Sequence, residues 1–187
     1  MSEYVIYINE TGFNLHLRRK FGRSPSGKRV ATTVSSSKAV NISVCAAMYN
    51  GGLYHFMSKV GSYNSNEFIQ FLTQMFERTG AGQKHLVLDN IRFHHTENVK
   101  NIVESRGHDI IFLSPYSPQL NPIELLFSKW ESIVKADMKI FNSRDLLQVI
   151  QRASVQITLE NCQGWIREST RFVSIALRKE TFKNISK

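Results

Sequence analysis

The sequence predicts a single α/β domain in which helices flank a mixed five-stranded sheet. An antiparallel hairpin signal near residue 50, helix and strand alternating from residue 66 to 113, and a helical C-terminal third support this prediction. The chain has 187 residues and 42% hydrophobic content, which is enough to bury one core. We therefore expect three antiparallel strands followed by two parallel strands.

The N-terminal third contains three predicted strands. Tyr4–Ile8 is rich in β-branched and aromatic residues and ends at Asn9, where Asn-Glu-Thr-Gly predicts a turn. Asn41–Met48 and Leu53–Met57 are separated by Tyr-Asn-Gly-Gly, and an Asn-Gly step between such runs is a strong hairpin signal. The second and third strands are therefore expected to be antiparallel.

Helices and strands alternate in the middle of the chain. Apolar residues at helical spacing predict a helix over Asn66–Arg78, with Asn64 or Ser65 as its N-cap. The following predicted elements are a strand at His85–Leu88, a helix at Glu97–Ser105 that ends before Gly107, and a strand at Ile110–Leu113.

The C-terminal third is predicted to be helical. An apolar stripe runs from Ile123 to Val134, and further helices are expected from about Arg144 to Leu159 and over Trp165–Leu177. We expect Trp130 and Trp165 to pack in the core.

Composition favours a nucleic-acid partner. The net charge is +9, with 24 Lys and Arg against 15 Asp and Glu, and such an excess attracts polyanions more readily than it indicates a membrane or small-molecule partner. The two cysteines form no CxxC or Cys/His cluster, so neither a disulfide framework nor a zinc knuckle is predicted. No leader or membrane-spanning run is apparent, so a soluble, non-secreted protein is expected.

Two acidic residues lie at the boundaries of predicted elements. Asp89 follows a strand and Glu124 opens a helix, with residues 90 to 123, 34 positions, between them. Because Mg²⁺ prefers carboxylate oxygens, this placement suggests a divalent-metal site. Two structural alternatives remain open, in which Asp89 caps a turn and Glu124 closes a capping box with Asn121.

Four segments together resemble a known family: INETGF, LVLDNIRFHH, SPYSPQLNPIELLFSKW and NCQGWIRESTRF. They resemble the catalytic domain of the Tc/mariner superfamily of cut-and-paste DNA transposases, which are DDE endonucleases with an RNase H-like fold. The resemblance covers essentially the whole chain. Its most specific part is SPYSPQLNPIE, placed after LDN at the family's interval.

The resemblance implies two-metal DNA strand cleavage and strand transfer. In this family three acidic residues hold two Mg²⁺ or Mn²⁺ ions, and the corresponding positions here are 9, 89 and 124. Asp89 and Glu124 match, but the first acid is replaced by Asn9. Because that acid bridges both ions in the family, Asn9 removes a negative charge where the positive charge is greatest. We expect weak metal binding at this degenerate site and strongly impaired or absent cleavage.

The resemblance also implies contacts with DNA. The family has a clamp-like loop between its first two strands, and here Leu15–Arg29 is densely basic. The candidate phosphate-binding residues in it are Arg18, Arg19, Lys20, Arg23, Lys28 and Arg29, although a solvated turn or a subunit contact is also consistent. Asn90 and His94 are further DNA-binding candidates, while His94 and His95 are equally compatible with packed or solvated roles. Neither histidine is expected to be a primary metal ligand.

The family's N-terminal helix-turn-helix modules have no counterpart before Tyr4, so we expect electrostatic, sequence-tolerant DNA binding. Family members pair as dimers in the full-length context, and a eukaryotic member would act in the nucleus, otherwise in the cytoplasm. The alternative function is a non-catalytic DNA-binding or subunit-interaction module of the same fold. A nuclease for RNA–DNA hybrids is disfavoured by the LSPYSPQLNPIE segment.

Overall fold

The computed structural model describes residues 5–14, 41–115, 117–137 and 142–178. Ten strands and helices follow one another within these ranges. They are β1 (Val5–Asn14), β2 (Asn41–Tyr49), β3 (Gly52–Val60), α1 (Ser65–Glu77), β4 (His85–Leu88), α2 (Glu97–Ser105), β5 (Asp109–Phe112), α3 (Ile123–Ala136), α4 (Ser143–Ser154) and α5 (Leu159–Leu177). Short 3₁₀ turns at Arg92–His95 and Pro118–Leu120 precede α2 and α3. Within these ranges, no helix has the length and apolar character needed to cross a membrane.

The strands form one sheet in the order β3-β2-β1-β4-β5. The pairs β1–β2 and β2–β3 are antiparallel, whereas β1–β4 and β4–β5 are parallel. The mixed sheet predicted from the sequence is therefore confirmed. β1 is the central strand, and it joins the antiparallel half of the sheet to the parallel half.

Each face of the sheet is covered by helices. One core contains α3, α4 and α5, and it centres on Trp130, whose ring lies 5.0 Å from Phe56 and 6.1 Å from Phe13 between centroids. The indole N–H of Trp130 donates to the carbonyl of Ile150 at 3.0 Å, which satisfies its polar atom inside the core. The other core lies between the sheet and α1 and α2. Burial on both faces explains why β2 is an almost continuous apolar run.

The predicted turn after Asn9 is wrong, because β1 continues to Asn14. β2 pairs with this stretch residue by residue, from Asn9 opposite Ala46 to Asn14 opposite Asn41. Gly12 allows the close approach, since a Cβ at that position would lie 3.0 Å from the side-chain oxygen of Asn41. Long-range pairing thus overrides the local turn preference of the Asn-Glu-Thr-Gly sequence.

The predicted boundary between the last two helices is also wrong. α4 ends at Ser154 and α5 begins at Leu159, six residues before the predicted Trp165. Thr158 fixes the new start, because its hydroxyl accepts the backbone N–H of Asn161 and the Asn161 side chain accepts the N–H of Thr158. This reciprocal capping box satisfies two N–H groups that would otherwise lack helical partners.

Acidification is expected to destabilise the fold partly through His55. This residue is buried against Phe71, and its Nε2 has no hydrogen-bond partner among the described residues. Burial together with the Arg78 charge lowers the pKa of His55. The unfolded chain therefore takes up this proton at higher pH than the folded chain does. The resulting stability is present above the unfolded pKa near 6.5 and declines as the pH falls below it.

The measurement is the urea midpoint of the parent and of His55→Phe at pH 8 and pH 5.5. We expect the variant to lose less stability on acidification than the parent, because phenylalanine preserves the ring contact and cannot titrate. An equally steep decline in both proteins would contradict the assignment.

Candidate active site

The site is built where β1 and β4 run side by side in parallel. Their pairing includes Tyr7 opposite Val87. Two residues further along the chain are Asn9, within β1, and Asp89, directly after β4, so these two positions lie at the same level of the sheet. The carboxyl end of a parallel strand, where Asp89 lies, is a common place for functional side chains in α/β folds.

Asn9 is held by two hydrogen bonds. Its side-chain nitrogen donates to Glu124 Oε1 at 2.7 Å, and its side-chain oxygen accepts the backbone N–H of Glu10 at 2.8 Å. Only 4% of Asn9 is exposed. The amide therefore presents its nitrogen to the Glu124 carboxylate, while its oxygen is engaged by the adjacent backbone.

Glu124 lies in the first turn of α3 and points to Asn9 instead of to its own helix start. The structural alternative of a capping box is wrong, because α3 has no side-chain cap of that kind and Asn121 accepts the N–H of Ile123 instead, at 3.4 Å. Burial and the nearby Asp89 charge raise the pKa of Glu124, and the hydrogen bond from Asn9 opposes that rise. The three predicted catalytic positions thus form one electrostatically coupled group.

An open cleft of about 330 Å³ adjoins two of these positions. It is lined by residues from the two motifs: Asp89, Asn90, Ile91, Leu113, Ser114, Pro115, Ser117, Pro118, Asn121 and Glu124. The side-chain nitrogen of Asn121 is buried and finds no hydrogen-bond partner within the described ranges. The cleft brings the LDN segment and the SPYSPQLNPIE segment together, as their sequence patterns suggested.

Glu10 points to the opposite face of β1 from Asn9. Its Oε1 lies 3.1 Å from His94 Nε2 and accepts a hydrogen bond from the Cys45 thiol at 3.5 Å, whereas its buried Oε2 has no hydrogen-bond partner in the part of the chain that the structure describes. Burial and the Glu10 carboxylate raise the pKa of Cys45 well above its usual value, so this thiol stays protonated. Sequence reasoning missed Glu10, although the two-residue alternation of a strand longer than predicted would have placed it facing α1 and α2.

His94 lies between the two carboxylates and has no exposed surface. Its Nδ1 is 2.9 Å from Asp89 Oδ1 and its Nε2 is 3.1 Å from Glu10 Oε1. Burial lowers the pKa of His94, but the hydrogen bonds and charges of Asp89 and Glu10 outweigh burial and raise the pKa to about 9. His94 is therefore an imidazolium at neutral pH, and its burial does not fit the predicted contact with DNA.

The ligand atoms of Glu10, Asp89 and His94 lie within 4.8 Å of one another. The imidazole directs one nitrogen to each carboxylate, so it separates them as a hydrogen-bonded bridge and leaves neither nitrogen for a cation. Asn90, by contrast, is exposed at the cleft and contacts His95, whose ring stacks on Phe112. The six predicted phosphate-binding residues between Arg18 and Arg29 lie outside the described residues.

The sheet order β3-β2-β1-β4-β5, with helices on both faces, is that of the RNase H-like class of α/β domains. A sequence model described as DDE superfamily endonuclease matches residues 4–148 of this chain. The chain belongs to this family. No curated protein matches the sequence significantly.

Solved structures of the Mos1 mariner transposase share the fold. The structure titled as its catalytic domain aligns with a TM-score of 0.69 at 14% identity, covering 95% of this chain and 83% of that chain. The strand transfer complex aligns with a TM-score of 0.75 at 14% identity, and the paired end complex with Mn with 0.76 at 15%. Each alignment covers 95% of this chain, which spans only 55% and 56% of the respective Mos1 chains.

Asn9→Asp is expected to lower the stability of the metal-free protein and to make its stability rise when metal is added. The substitution replaces the N–H donor 2.7 Å from Glu124 with a carboxylate oxygen, so it removes a hydrogen bond and adds charge beside two acids. We expect a loss of about 1–3 kcal/mol in chelator. We also expect millimolar Mn²⁺ to raise the Tm of Asn9→Asp more than it raises the Tm of the parent, because a ligand that binds the native state stabilises that state.

Thermal melts in EDTA and in MnCl₂ test this expectation. Asn9→Ala is the matched control, because it removes the same hydrogen bond without adding a carboxylate and should gain no Mn²⁺ response. An Asn9→Asp protein whose Tm equals that of the parent in EDTA would contradict the role given to the Asn9–Glu124 hydrogen bond.

Proposed function

We propose that this chain is the catalytic domain of a cut-and-paste DNA transposase whose two-metal site is impaired at Asn9. Family membership and the RNase H-like fold support the reaction class. The observation that carries the proposed impairment is the 2.7 Å hydrogen bond from the Asn9 amide nitrogen to Glu124. That bond uses a carboxylate oxygen of a position that the reaction needs as a metal ligand.

The residues at the site fit divalent cations only in part. Asp89 and Glu124 offer hard carboxylate oxygens beside one cleft, and they would hold Mg²⁺ or Mn²⁺. Position 9 offers an amide whose oxygen already accepts the Glu10 N–H. When bound, two such ions would activate the attacking oxygen and stabilise the leaving oxygen of a phosphodiester. Because the amide at position 9 contributes no negative charge, we infer that Mg²⁺ or Mn²⁺ binds weakly at Asp89 and Glu124.

The proposed partners are transposon-end and target DNA. The net charge of +9 supports binding through phosphates, which makes affinity fall steeply with salt. The Mos1 structures include a strand transfer complex and a paired end complex, so DNA-bound forms are known for proteins of this fold. We further propose that the basic segment from Arg18 to Arg29 contacts phosphates, that a second copy joins in the full-length context, and that a eukaryotic member acts in the nucleus.

A non-catalytic DNA-binding or subunit-interaction module is the second candidate. The same Asn9–Glu124 hydrogen bond favours it, because the bond satisfies an oxygen of a half-buried carboxylate without any cation. A protein of this kind would retain the fold and its positive charge while the cleft carried out no chemistry.

Restoring the acid separates the two candidates. We expect Asn9→Asp to nick supercoiled plasmid with Mg²⁺ or Mn²⁺ on the order of 100-fold faster than the parent, because correctly held metal supplies several kcal/mol of transition-state stabilisation. Gel analysis of the plasmid gives the rate. Asn9→Asp/Asp89→Ala is the control for contaminating nuclease, and it should return to background.

The outcomes assign one function or the other. Nicking by Asn9→Asp that disappears in the double variant identifies a latent active site. A folded Asn9→Asp protein that binds DNA without nicking it, and that does not bind Mn²⁺, would refute the catalytic proposal and support the second candidate.

A further inference from the structure

We propose that His94 is a positioning residue for Asp89 and that Glu10, the neighbour of Asn9 in β1, fixes His94 in this role. The proposal rests on the proposed function, since it assigns Asp89 to a metal. It concerns side chains on the α1 and α2 face of the sheet, which the expected three-position metal site does not include.

The contacts with Asp89 involve one of its two carboxylate oxygens. Oδ1 lies 2.9 Å from His94 Nδ1, a nitrogen that is also 3.4 Å from the backbone carbonyl oxygen of Asp89, and Oδ1 accepts the backbone N–H of Ile91 at 3.3 Å. None of these contacts uses Oδ2. One oxygen therefore anchors the carboxylate to the protein, and the other is available for a cation in the cleft that Asp89 lines.

The histidine ring is itself immobilised. It is fully buried, with ring centroids 4.3 Å from Phe68 and 4.5 Å from Phe93. Its Nε2 is held by Glu10 Oε1 at 3.1 Å, and Cys45 donates to the same oxygen. The order of contacts is thus Cys45, Glu10, His94 and Asp89, running from the interior of the sheet to the edge of the cleft.

Such an arrangement matters because a metal ligand must be oriented before the metal binds. Carboxylates that ligate metals are hydrogen-bonded by surrounding residues, and loss of these partners typically lowers metal affinity or activity about 10–100-fold. Asp89 follows the last residue of β4, where the sheet no longer fixes its direction. The 3₁₀ turn at Arg92–His95 returns the chain so that His94 supplies the missing constraint.

Two amide substitutions at His94 separate the two contacts of the imidazole ring, one with Asp89 and one with Glu10. The side-chain nitrogen of asparagine lies near the place of Nδ1, so His94→Asn retains a donor for Asp89 and loses the contact with Glu10. The nitrogen of the longer glutamine lies near the place of Nε2, so His94→Gln retains the contact with Glu10 and loses the donor for Asp89. Both variants place a neutral amide in the same buried space, which makes them matched controls for stability.

The first measurement uses the chain with Asn9 unchanged. Three-bond NMR couplings in protein labelled at aspartate report the χ1 rotamer of Asp89 without any metal. We expect one dominant rotamer in the parent, averaging among rotamers in His94→Gln, and substantial recovery in His94→Asn. Glu10→Gln weakens the hold on His94 with little change in shape, and it should produce intermediate averaging even if a His94 variant fails to fold.

The second measurement uses the Asn9→Asp background and Mn²⁺ calorimetry. We expect His94→Gln to weaken Mn²⁺ binding about 10–100-fold relative to Asn9→Asp alone, and His94→Asn to weaken it less. Plasmid nicking should follow the same order. A general loss of packing would not separate the two amides in this way.

The results distinguish this proposal from the proposed function. If Asn9→Asp binds no Mn²⁺ but His94→Gln still frees the Asp89 rotamer, the catalytic proposal fails and the positioning role stands. If Asn9→Asp binds Mn²⁺ and folded His94→Gln binds it equally well, with an unchanged Asp89 rotamer, the positioning role is refuted.

Discussion

The two-residue repeat of β1 is the constraint on which the site depends. This strand is held between antiparallel β2 and parallel β4, so its register cannot shift without moving every apolar side chain to the wrong face. Asn9 and Glu10 consequently serve opposite faces of one sheet. Asn9 reaches α3 through Glu124, and Glu10 reaches the 3₁₀ turn after β4 through His94. The same strand, β1, therefore positions the contacts that the site makes with the helical layers on both faces of the sheet.

Local sequence signals predicted much of this architecture and failed where distant contacts decide the outcome. The Asn-Gly hairpin and the apolar spacing of α1 and α3 were sufficient because turn chemistry and amphipathic periodicity are local. β1 was cut short at Asn9, since the sequence does not reveal that β2 will pair with the next five residues. The acids at 89 and 124 were singled out through their placement and motif spacing, whereas Glu10 was overlooked because the same error placed it in a turn.

Donors within the protein compensate part of the negative charge of the site. Glu124 receives an amide N–H from Asn9, and Asp89 and Glu10 share the imidazolium of His94. Buried carboxylates are costly unless donors or opposite charges compensate them. Here each acid has at least one such donor, although among the described residues Glu10 Oε2 is buried without a hydrogen-bond partner. A cation entering the cleft must compete with the bond that Asn9 already makes to Glu124.

The bond between Asn9 and Glu124 also bears on how a chain of this kind persists through mutation. Most substitutions are removed by selection when they lower folding stability below a threshold, and losses of function that leave stability intact are not removed for that reason. An amide that donates to a half-buried acid is compatible with this tolerated class. The codons for asparagine and aspartate differ only in their first base, so a single base change would place an acid beside Glu124 while the surrounding fold is kept.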